Sequence, residues 1–172
     1  MDNQTVLAAL RDTVGREIRA VSEFRGDLSV TLTPAGYLAA AQFLRDDPEL
    51  AYVFLENLCG VDYLGRKPRF EVVAHLTSLR HRHRVCLKVG CDEPDPTVPS
   101  LTPLFPTANY QERETFDLLG IKFAGHPSLT RILLPDDWVG HPLRKDHPLG
   151  DEEVAFTFNQ ERIYARKPFA RE

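Results

Sequence analysis

Apolar positions along the chain follow first a helical period, then a period of two, and each change of period marks an element boundary. Val6, Leu7, Leu10 and Val14 share one helical face, so residues 3–14 read as an amphipathic helix stopped by Gly15. Two short alternating runs follow, Ile18–Phe24 and Leu28–Leu32, joined by Arg25-Gly26-Asp27 as a hairpin turn. Thr33-Pro34 starts a second helix, an N-cap followed by proline at the first helical position. Its stripe is Tyr37, Leu38, Ala41 and Leu44, and Asp46-Asp47-Pro48 ends it. Ala51–Leu64 reads mostly as strand. Arg69–Thr77 and Arg82–Gly90 alternate across a turn at Ser78–His81, which predicts an antiparallel hairpin.

Regular alternation then stops. Residues 91–108 hold five prolines, Pro94, Pro96, Pro99, Pro103 and Pro106, which predicts a stiff connector without regular structure. Asn109 with Glu112 three residues later has the spacing of a capping box, opening a helix of about ten residues that Gly120 closes. Within that helix Arg113 and Asp117 have the spacing of a surface pair, and Phe116 and Leu119 that of an inward contact. Arg131–Pro135 reads as a short apolar strand, Asp136-Asp137-Trp138 as a turn, and Asp151–Glu172 as a charged tail. The order helix, two strands, helix, three strands predicts an α+β fold, a two-layer domain with a mostly antiparallel or mixed sheet packed on helices. Its expected divisions are an α+β core with the connector over 1–108, a helix and extended arm over 109–150, and a tail over 151–172.

Composition narrows the function. The net charge of −4 and pI near 5.9 disfavour a dedicated nucleic-acid binder. No apolar stretch is long enough to cross a bilayer, and the first ten residues lack the basic region and apolar core of a secretory signal. Cys59, Cys86 and Cys91 are too few for a disulfide framework, which favours a reducing cytoplasm. They also fall short of the four thiolates that most iron–sulfur clusters need. Gly60 to Lys67 approaches a phosphate loop, but Arg66 stands at the lysine position and Pro68 replaces the helix start. No two glycines have the G-x-G spacing of a dinucleotide fingerprint. His81 and His83 share one expected strand face and would suit a metal, whereas Cys86 has the opposite parity. Arg80, Arg82, Arg84 and Lys88 form a cationic row that is either merely solvated or set against an acidic partner. The carboxylate pairs Glu112/Glu114 and Asp136/Asp137 sit among Arg113, Arg131, Arg144 and Lys145, where ion pairing is the simpler role than acid–base work. The reading is a chain without an active site, metal or cofactor of its own.

The densest stretch is Glu112–Pro148. It combines carboxylates, guanidiniums, the single tryptophan and three His-Pro dipeptides, at residues 126, 141 and 147. Each proline holds the preceding histidine extended, and a pre-ordered arm loses less entropy on docking. Trp138 is either an interface anchor or a core filler. Here the chain closely resembles the 30 kDa subunit family of respiratory complex I (NADH:quinone oxidoreductase, NDH-1). The matching residues are Glu112-Arg113-Glu114, Phe116-Asp117-Leu118, Gly120-Ile121, Phe123, Gly125-His126-Pro127, Arg131-Ile132-Leu133 and Pro142-Leu143-Arg144-Lys145-Asp146. The hairpin FEVVAHLTSLRHRHRVCLKV and the connector VPSLTPLFPTANY resemble the family too, whereas Tyr110 stands where a tryptophan is expected and Ser128 where an acid is usual.

The resemblance implies a scaffolding subunit of the peripheral arm of a proton-translocating enzyme, on the cytoplasmic face of the inner membrane. It would pack against the large quinone-site subunit, with iron–sulfur subunits close by. FMN, the iron–sulfur clusters and the quinone would belong to those neighbours. Expected partner-contact residues are Glu112, Arg113, Glu114, Asp117, His126, Arg131, Trp138, Arg144, Lys145 and Asp146. A competing reading places the same module in a related membrane-bound hydrogenase or another complex-I-like oxidoreductase. A more distant one is a small metalloenzyme using His75, His81 and His83.

Overall fold

The computed structural model describes residues 1–147 and 156–166. Helix α1 (Asn3–Val14) begins where the Asp2 carboxylate accepts the Thr5 N–H at 2.7 Å, and it buries the expected Val6, Leu7, Leu10 and Val14. Strands β1 (Ile18–Phe24) and β2 (Asp27–Leu32) meet in a two-residue turn. Arg25 (φ 52°) and Gly26 (φ 88°) are both left-handed there, as a tight hairpin requires, and Asp27 already belongs to β2. Helix α2 (Pro34–Asp46) is capped by the Thr33 hydroxyl, which accepts the Gly36 N–H and itself donates to Glu17.

The chain then reaches the far edge of the sheet and returns as a meander. This comprises β3 (Phe54–Asp62), β4 (Phe70–Ser78) and β5 (His83–Cys91). Strand order is β1-β2-β5-β4-β3, with β2 and β5 parallel and every other pair antiparallel. The register puts Leu28, Val30 and Leu32 beside Val85, Leu87 and Val89, then Leu76, Ala74 and Val72, then Leu55 and Leu58. All of these are buried in one core with α1 and α2, an α+β layering as expected.

The proline-rich connector is more ordered than its composition predicts. Thr97–Pro99 forms strand β6, parallel to β7 (Lys122–Ala124). A proline removes only its own N–H, so Pro96 still accepts from Lys122 at 2.8 Å and Ser100 still donates to Ala124 at 2.9 Å. Helix α3 (Ala108–Leu119) lies against β3 and ends at Gly120, whose φ of 75° is the left-handed cap. Close packing of α3 needs Gly60, where a Cβ would come within 2.6 Å of Leu119 and 2.8 Å of Thr115. The expected strand over Arg131–Pro135 is absent; the backbone bends there instead. Helix α4 (Gln160–Arg166) occupies part of what read as a tail, while the rest of that tail and Pro148 lie outside the described residues.

Candidate partner-docking surface

Three buried carboxylates organise the last third of the described chain. Asp117 on α3 is fully buried. Its Oδ2 accepts the backbone N–H groups of Ile132, Leu133 and Leu134 at 3.0, 2.8 and 2.9 Å, and its Oδ1 accepts Arg131 Nη1 at 2.7 Å. A segment with no strand neighbour must satisfy its backbone donors somewhere, and here a single side chain takes three of them. Burial alone would raise the carboxyl pKa of Asp117. The three N–H groups and the guanidinium outweigh that and bring it down to about 2. Arg131 also donates to Trp138 O at 3.0 Å, and His141 Nδ1 bonds Asp117 O at 2.9 Å, so the loop closes around one residue.

Glu112, one turn earlier and also fully buried, points the other way. Its carboxylate accepts Ser100 Oγ at 2.6 Å, Leu101 N at 2.6 Å and Thr102 Oγ1 at 3.1 Å, fixing the connector against α3. Burial raises its pKa and those donors oppose the rise. Asp62, at the end of β3, holds Arg69 through two bonds of 2.9 and 2.8 Å and accepts Lys145 N at 2.8 Å. Arg69 reaches on to Glu93 at 2.7 Å and Asp146 at 2.8 Å. Arg144 donates to Leu119 O at 2.7 Å, and its guanidinium lies 5.1 Å from the Phe70 ring centroid.

These contacts revise several sequence expectations. Glu112 makes no capping box; α3 starts at Ala108 without a side-chain cap, and the carboxylate serves a loop eleven residues upstream. Glu112 and Asp117 are interior, so neither presents charge at the surface, because each is enclosed by the donors it serves. Arg113 does not pair with Asp117; it donates to the carbonyls of Thr130 and Arg131 at 3.1 and 2.9 Å. Arg131, Arg144 and Asp146 are tied within the chain. His126 accepts the Ser128 N–H on Nδ1 and therefore donates from Nε2 to Asn109 O at 3.2 Å.

The metal-like histidines separate. His81 and Arg82 lie in the turn, where strand parity does not apply, and His81 Nε2 meets Glu49 O at 2.7 Å. His83 bonds Tyr52 Oη at 2.6 Å and Asn3 Oδ1 at 2.9 Å, while His75 pairs in register with Cys86. The cationic row dissolves likewise: Arg80 and Arg82 leave the strand, and Arg84 pairs with Asp27 at 3.0 Å. The three cysteines are free thiols, and burial pushes Cys91 up to about 12.

What the anchored loop leaves outside is apolar. Leu133 is 61%, Leu143 59% and Val139 89% exposed, with Ile132 and Tyr110 exposed as well. Glu114 and Lys145 are exposed, and Arg113 and Trp138 are half-buried. Sequence reasoning missed Leu133, Val139 and Leu143, although apolar residues among turn formers, with no period to bury them, were the available signal. It also missed Asp62 and Arg69, whose pairing depends on hairpin register.

A family model described as respiratory-chain NADH dehydrogenase, 30 Kd subunit, matches residues 30–153. The C subunit of the NADH-quinone oxidoreductase of Roseiflexus castenholzii (strain DSM 13941 / HLO8) is 67% identical over 172 residues, covering 100% of this chain and 99% of that protein. Its namesake from Herpetosiphon aurantiacus is 60% identical over 152 residues, covering 88% of this chain and 89% of the relative. Among solved structures, the trypsin-resistant fragment (1-134) of Nqo5 superposes with a TM-score of 0.58 at 32% identity, covering 75% of this chain and 100% of that one. A chain of an archaeal membrane-bound sulfane sulfur reductase shares the fold, with a TM-score of 0.71 at 15% identity over 98% of this chain and 93% of that one.

Proposed function

The chain belongs to the family of the 30 kDa subunit of respiratory-chain NADH dehydrogenase, and from that premise we propose that it is a non-catalytic structural subunit of a proton-translocating NADH-quinone oxidoreductase. The observation that carries this is 67% identity, along the whole chain, with one component of such an enzyme. In this reading the sheet and helices form a rigid body, and the loop around Asp117 and the residues up to His147 face the large quinone-site subunit. Iron–sulfur subunits of the peripheral arm lie nearby. FMN, the iron–sulfur clusters and the quinone sit in those partners, and this chain contributes position and not electron transfer. Two features of the chain support the assignment. The most deeply buried carboxylates, Asp117, Glu112 and Asp62, are engaged by the chain's own donors. The same loop leaves Leu133, Val139 and Leu143 exposed, apolar side chains of the kind that interfaces cover. No helix of the described residues is long and apolar enough to cross a membrane. In this reading the neighbouring subunits hold the chain at the cytoplasmic face.

The test is a mild-detergent pull-down of the tagged chain from native membranes, with partners identified by mass spectrometry. Flavin and iron–sulfur subunits, with NADH-dependent quinone reduction in the eluate, are the expected result. A nickel–iron hydrogenase subunit as the main partner would move the chain to a related complex. Recovery of the chain alone would overturn the assignment.

A further inference from the structure

We propose that the free edge of β1 joins two copies of this chain, antiparallel about Val21, into a two-fold symmetric dimer. Strand β1 ends the sheet, and every residue of it after Ile18 is exposed. The hairpin decides which of its main-chain groups are open. Arg25 and Gly26 form a two-residue turn, so Phe24 and Asp27 are the hydrogen-bonded pair that closes it. Antiparallel bonds alternate along a strand, so Ala20, Ser22 and Phe24 face β2, while Val21 and Glu23 turn N–H and C=O to the open side. No strand among the described residues takes those groups. Such a row is a template for another strand.

The charges on β1 select that strand. Arg19 and Glu23 stand two residues either side of Val21, both exposed. A second β1 laid antiparallel about Val21 sets Arg19 against Glu23 twice and pairs the two Val21 backbones. Opposite charges facing across strands stabilise a sheet, and like charges destabilise it. Antiparallel shifts of two residues keep the bond phase but set Arg19 against Arg25, or Glu23 against Glu17. Parallel pairing in register sets each charge against itself. Arg19 is the extra residue of a bulge between Ile18 and Ala20, so its contribution is the side-chain ion pair and the regular ladder starts at Ala20. On the other face Ala20 meets Ser22, two small side chains that let the backbones approach. The contact is self-complementary, as a two-fold interface must be. It also lies at the opposite edge of the sheet from β3, against which α3 and its Asp117 are packed, so pairing leaves the docking loop uncovered.

The test is sedimentation of the purified full-length chain over a concentration series, with melting temperatures measured in parallel. Wild type should show a reversible monomer–dimer equilibrium. Val21→Pro deletes an outward N–H and keeps the bonds to β2, so it should fold and stay monomeric. Arg19→Glu and Glu23→Arg should each be monomeric alone, and an equal mixture of the two should recover the dimer as a mixed pair. A wild type that stays monomeric throughout would overturn the proposal. So would a dimer that survives Val21→Pro, because it must use another surface. Should Val21→Pro fail to fold, the charge variants decide: dimers of either one alone, or no dimer in their mixture, would overturn pairing about Val21.

Discussion

Between Asn3 and Cys91 the chain is held by rows of apolar side chains, whereas from Arg131 to His147 it is held largely by carboxylates that collect backbone N–H groups. The first kind of order is spread over many contacts and is non-directional, so no single residue controls it. The second is directional and concentrated. Asp117 alone fixes three consecutive N–H groups and a guanidinium, and Asp62 alone joins Arg69 to Lys145 N. A loop built this way needs little apolar surface for itself, which leaves its leucines and valine free to face outward. Hydrophobic residues are thus structural in one region and presented in the other.

The sharpest way to break this comparison is to remove one anchor and one core side chain in parallel. Asp117→Ala leaves Arg131 and three backbone donors without their acceptor and should cost about 3–5 kcal/mol. Amide exchange should accelerate first at Ile132, Leu133 and Leu134, with β4 and β5 still protected. Leu87→Ala should cost about 2–5 kcal/mol by cavity formation, and it should lower protection throughout the sheet. If exchange in Asp117→Ala rises evenly over the whole chain, the two regions are one cooperative unit and the distinction fails.

Gly60→Ala tests where the regions meet. The added methyl would press on Leu119, Thr115 and Ile121, and overpacking of this kind costs about 1–3 kcal/mol. Because α3 carries both Glu112 and Asp117, the strain should loosen connector and loop together. An unchanged melting temperature would show that α3 can shift without disturbing its anchors.

The smallest effect is set by pH. Asp117 has a folded-state value near 2 against an ordinary 3.8, so its stabilisation is complete above pH 4 and is lost as the pH falls toward 2. Asp62 is lowered by Arg69 in the same sense. Glu112, raised by burial, acts oppositely: its contribution is full in acid and fades as the pH rises through its elevated value. Acidification from pH 5 to 2.5 should therefore release the 132–134 amides before those of Val85 and Leu87. Simultaneous release, followed by amide exchange, would count against anchoring by Asp117.

Much of the body was legible because its physics is periodic. The stripes of α1 and α2, the Thr33-Pro34 start and both hairpins are local signals, and local signals survive in a sequence. Arg131-Ile-Leu-Leu read as a strand because apolar residues in an extended run usually mean one. The missing information was fourteen to seventeen residues away, in the carboxylate of Asp117. Glu112 misled for the same reason: its spacing from Asn109 fits a cap, but its donors lie at Ser100, Leu101 and Thr102. Short α4 carries too little apolar period to stand out from a charged tail. Side-chain-to-backbone anchoring over such distances leaves no period at all.

The way Asp117 gathers the 132–134 N–H groups has a bearing on how recognition can be rewritten. With those donors occupied, this stretch has no N–H to lend to a neighbouring strand, so beyond its carbonyls a partner reads it through side chains. Path and lettering are then separable: exchanging Leu133 or Val139 alters what is read and leaves the track of the loop unchanged. Two copies of such an enzyme within one cell could be made mutually exclusive by matched exchanges at these positions, an orthogonal pair on a common frame.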